Sequence, residues 1–100
     1  MSRSKSYKKL LHERLKCPEE AAAYLNAALE EEDPGVFLVA LRDIAEANGG
    51  MTRLAREAHL NRETLYRTLS KRGNPSLTNL RSLLGTIGLE IAINPSSHRI

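Results

Sequence analysis

Residues 51–69 read MTRLAREAHLNRETLYRTL, and the spacing of their apolar side chains decides the fold. Met51, Leu54, Ala55 and Ala58 recur at i, i+3, i+4 and i+7, which is one face of a helix. After a break at His59-Leu60, Asn61 stands where it can cap a second helix carrying Leu65 and Leu69. Two short helices joined by a few residues have the dimensions of a helix-turn-helix. Ala55 is small where the second helix must cross closely. Leu54, Ala58, Leu60 and Leu65 supply the apolar atoms that such a pair buries. His59 occupies the turn position where glycine is commonest, because the backbone there tends to φ > 0, and histidine is among the few residues enriched in that conformation.

This packing leaves Arg62, Glu63, Tyr66 and Arg67 on the outer face of the second helix, the face that a helix-turn-helix sets against base edges in the major groove. Arg62 and Arg67 are candidates to grip guanine bidentately. Glu63 either accepts from cytosine N4 or orients a neighbouring arginine. Thr52, Arg53, Ser70, Lys71, Arg72 and Ser76 are candidates for phosphate contact through charge, hydroxyls and helix N-termini.

The charge distribution agrees with a polyanionic partner. The 100 residues carry a net charge of +3. Residues 1–50 hold seven Lys/Arg against nine Asp/Glu, whereas residues 51–100 hold eight against three. An asymmetry of this kind points to nucleic acid for the second half, although a solvated basic surface also produces it.

Upstream, the pattern is helical throughout. Ser6 can cap a first helix with Tyr7, Leu10, Leu11 and Leu15 on one stripe and Lys5, Lys8, Lys9 and Arg14 around it. Pro18 suits the first position of a second helix, with Glu19 and Glu20 in its first turn and Ala21, Tyr24, Leu25 and Ala28 on its apolar face. After an acidic run at residues 30–33, Asp33-Pro34 starts a third helix that turns Phe37, Leu38, Leu41, Ile44 and Ala45 inward and stops at Gly49-Gly50. Downstream, residues 71–75 form a turn. Ser76 then caps a helix with Leu77, Leu80, Leu83, Leu84 and Ile87 inward, ended by Gly88.

The run NRETLYRTLS at residues 61–70, followed by Gly73-Asn74-Pro75-Ser76, resembles the signature of the addiction-module antidote family. So does AAYLNAAL at residues 22–29, followed by Asp33-Pro34. The resemblance spans residues 18–95, leaving residues 1–17 as an N-terminal extension and 96–100 as a tail. It implies a bacterial antitoxin with a λ-repressor-like (Xre-type) helix-turn-helix. Such a protein neutralises a small basic toxin of the RelE/ParE-like (HigB-type) class and represses the shared operon on double-stranded operator DNA. For the toxin contact, the helix over residues 18–30 is the candidate, through Tyr24, Leu25 and Leu29; the alternative is that this helix simply packs on the core.

Other function classes find less support. His12, His59 and His98 are scattered, and Cys17 has no matching base nearby, so no catalytic cluster, metal site or cofactor site is expected. One cysteine allows no internal disulfide. No apolar run suits a signal peptide or a membrane span, which makes the cytoplasm the expected compartment. A stand-alone transcriptional regulator, or a helical interaction module without DNA binding, is the alternative reading.

The expected architecture is therefore mainly α, a helix-turn-helix domain of five or six helices with a short C-terminal strand. Leu89, Ile91 and Ile93 alternate with Glu90 and Ala92 at the period of that strand. No second strand is evident, so pairing with the same strand of a second copy is the expected route to a homodimer.

Overall fold

Each helix boundary has a local chemical cause. The computed structural model describes residues 5–96, with side chains from Ser6 onward. Six helices follow one another: α1 (Lys5–Leu15), α2 (Pro18–Leu29), α3 (Pro34–Ala47), α4 (Met51–Glu57), α5 (Arg62–Thr68) and α6 (Leu77–Thr86). Ser6 lies inside α1 rather than at its cap, because Lys5 is already helical. Pro18 and Pro34 open α2 and α3, where a missing N–H costs nothing. Asp33 caps α3 by accepting from the Gly35 N–H at 2.8 Å. The Ser76 hydroxyl caps α6 by accepting from the Asn79 N–H at 3.1 Å.

Three helices end the same way. Gly49 follows α3 at φ 107°, His59 follows α4 at φ 58°, and Gly88 follows α6 at φ 84°. In each case the next N–H reaches back to a carbonyl in the last turn: Gly50 to Ala45 at 2.9 Å, Leu60 to Ala55 at 2.8 Å, and Leu89 to Leu84 at 2.8 Å. This is the Schellman arrangement, which satisfies carbonyls that the helix leaves unpaired.

The helices enclose one core. Its largest fully buried side chains are Leu41, Ile44, Leu65, Leu69 and Leu83, and Leu54, Ala55 and Leu84 pack with them. Phe37 and Leu80 are only half-buried at its edge. α1 packs on α2 and α3 with Leu15 buried, and the Asn48 amide bonds both the Leu15 carbonyl (3.1 Å) and the Ile44 carbonyl (2.8 Å). Leu77, expected to face inward, is 66% exposed. On the apolar stripe of α1, Tyr7 and Leu10 are exposed (44% and 63%) while Leu15 is buried. Neither Leu10 nor Leu77 faces a neighbouring helix.

The expected C-terminal strand is absent: among the described residues there is no strand. Every element among the described residues is helical, so the N–H and C=O groups of residues 89–93 meet no ladder there. Leu89 instead packs against the core beside the end of α6, while Ile91 and Ile93 are exposed.

Candidate nucleic-acid interface

α4 and α5 pack against each other across a four-residue connection. The His59 backbone turns the chain, and Asn61 fixes the start of α5 by accepting from the N–H groups of Glu63 (2.8 Å) and Thr64 (3.1 Å). Leu65 and Leu69, both fully buried, anchor the inner face of α5. With that face committed to the core, Arg62, Glu63 and Arg67 are exposed on the other side.

Tyr66 is half-buried instead. The guanidinium carbon of Arg62 lies 5.6 Å from its ring centroid, and that of Arg42 on α3 lies 5.1 Å away. Both arginines are within range of attraction to the negative face of the ring. Arg42 also pairs with Glu46 at 3.3 Å. The sequence offered no signal for Arg42, since it sits 24 residues from Tyr66 and meets it only through the packing of α3 near α5.

The residues expected at phosphates fall into two groups. Arg53 is held by Glu57 at 2.8 Å, and this hydrogen bond and charge raise its pKa further above the usual arginine range. Lys71 lies 3.8 Å from the Asp33 carboxylate that caps α3. The Ser76 hydroxyl is occupied in capping, and that of Ser70 donates to the Arg67 carbonyl at 2.7 Å. Thr52 and Arg72 are exposed and make no hydrogen bond or ion pair with a described side chain. Arg56, exposed on α4, joins Arg67 and Arg72 as cations without a carboxylate partner among the described residues. Its outward position follows from Leu54 and Ala55 facing inward, so the helical period could have found it.

The side chains expected at a toxin separate. Leu25 is buried in the core. Tyr24 is half-buried and donates its hydroxyl to Asp43 at 2.7 Å, joining α2 to α3. Leu29 alone is open, at 60% exposure. Among the described residues no cluster of His, Cys, Asp or Glu could hold a metal ion, and no helix is long and apolar enough to cross a membrane. His98 lies outside the described residues.

Residues 4–95 match the model of a family described as "probable addiction module antidote protein". The match begins fourteen residues before Pro18, so it takes in α1, which the motifs alone had left outside. An uncharacterised protein of Haemophilus influenzae is 37% identical over 84 residues, covering 84% of this chain and 86% of its own length. No solved structure matches the chain.

Proposed function

The chain belongs to the family of probable addiction module antidote proteins, and from that membership we propose that it is the antitoxin of a type II toxin–antitoxin module. It binds and neutralises a cognate small basic toxin of the RelE/ParE-like (HigB-type) class. It also represses its own operon in the cytoplasm, reading operator DNA with α4 and α5 as a helix-turn-helix. The observation that supports the DNA half is the outward pair Arg62 and Arg67 on a helix whose other face is locked by Leu65 and Leu69. One such helix touches only a few base pairs, so repression takes two copies on half-sites about one turn apart, roughly 34–36 Å.

A mobility-shift titration against the DNA upstream of its gene tests this. Arg67→Ala should relax discrimination at one base pair by about 1–3 kcal/mol. Arg72→Ala should weaken all sequences alike and lower the salt slope by about one. Unchanged affinity and base preference in Arg67→Ala would remove α5 from the base-reading role. For the toxin half, co-expression should restore growth to cells carrying the toxin encoded beside it; continued arrest would reject the antitoxin assignment.

A further inference from the structure

Two adjoining grooves share Leu29 and Phe37. One, of about 420 Å³, runs between the end of α2, the start of α3 and the turn before α6, and is lined also by Pro34, Leu38, Pro75 and Leu80. The other, of about 140 Å³, runs between α2 and the segment after α6, past Leu84 and Ile91. No Lys or Arg lines either groove. Leu29 stands at their junction, a large aliphatic side chain left mostly in water.

The charge around these grooves identifies what would cover them. Seven of the twelve acidic residues are engaged within the chain: Glu13, Glu20, Asp33, Glu46 and Glu57 by cations, Asp43 by Tyr24, and Glu19 by the Cys17 thiol. The five that make no hydrogen bond or ion pair with a described side chain are Glu30, Glu31, Glu32, Glu63 and Glu90. Glu31 and Glu32 line the first groove and Glu90 the second, with Glu30 at the C-cap of α2 beside them. Glu30, at the C-cap of α2, opposes that helix's dipole, whereas Glu31 and Glu32 also lie just ahead of the Asp33 N-cap of α3, where negative charge is favoured. Three adjacent carboxylates with no cation partner among the described residues leave an unneutralised negative rim on the apolar grooves.

A second copy does not fit this surface. A two-fold interface sets the same patch against itself and would bring carboxylate against carboxylate. Nucleic acid is repelled by the same charge. We infer that the joined grooves dock a segment of the partner toxin, one that inserts an apolar side chain beside Leu29 and flanks it with lysine or arginine. The inference rests on the antitoxin reading for the partner's identity; it leaves Tyr24 outside the docking site, while the buried Leu25 lines only the second groove.

Calorimetric titration of the full chain with the toxin encoded beside it tests the docking site. Binding by the unaltered chain should weaken as salt rises. Glu31→Lys/Glu32→Lys and Leu29→Asn should each weaken it by about tenfold or more, while both variants melt with the unaltered chain. Variants that bind as tightly as the original would overturn the docking site and leave the antitoxin reading standing. No binding by the unaltered chain would overturn both. Self-association abolished by Leu29→Asn, with toxin binding intact, would assign the grooves to a second copy and overturn the inference.

Discussion

The guanidinium carbon of Arg42 on α3 lies 5.1 Å from the centroid of the Tyr66 ring on α5. The contact ties the outward face of α5 to α3, the longest helix among the described residues. Exposed cation–π contacts contribute about 0.5–1 kcal/mol. Arg42→Ala should cost about that much in urea unfolding, and much less in a Tyr66→Ala background. Equal costs in both backgrounds would mean that the two side chains do not interact.

Exposure separates two leucines that the helical period treats alike. Leu65 is fully buried, and Leu65→Ala should cost about 2–5 kcal/mol. Leu77 is 66% exposed, and Leu77→Ala should stay within about 0.5 kcal/mol. Chemical denaturation of the two variants measures the difference directly.

Two helical glycines should respond with opposite sign. A Cβ on Gly85 meets nothing, so Gly85→Ala should stabilise by about 0.5–1 kcal/mol through helix propensity. A Cβ on Gly35 collides with the backbone carbonyl of Lys71, where the start of α3 presses on the turn after α5. Gly35→Ala should therefore destabilise by about 1–3 kcal/mol, despite the same gain in propensity. Thermal melts of both variants check the signs.

His59 adopts φ 58° at the junction of α4 and α5. A left-handed backbone costs a side-chain-bearing residue about 1–2 kcal/mol, a cost that glycine escapes. His59→Gly should raise the melting temperature, and His59→Val, branched at Cβ, should lower it. A melting temperature for His59→Val equal to that of the original would show that the turn carries no strain.

The helices were legible in the sequence because their causes are local. Asn61 acts on N–H groups two and three residues away, and Gly49, His59 and Gly88 act on the turn just before them. The inner faces of α3, α4 and α5 followed from spacing for the same reason: residues three and four apart share a face. Residue types at short range thus determined the element boundaries, most of the core and the outward arginines of α5.

Relationships across long separations were decided only by the tertiary structure. Leu10 and Leu77 have helical spacing, yet no neighbouring helix covers them. Leu25 and Leu29 sit four residues apart on α2, and only the packing of α3 and α6 buries one and leaves the other at the edge of a groove. Residues 89–93 alternate like a strand, but a strand exists only with a second backbone beside it, and the elements among the described residues are all helices. The pairing of Arg53 with Glu57 is within reach of a sequence rule, whereas Lys71 near Asp33 and Arg42 over Tyr66 are not. Periodicity specifies which side of a helix is apolar. What stands opposite that side depends on how the helices pack, and that is set by the whole chain at once.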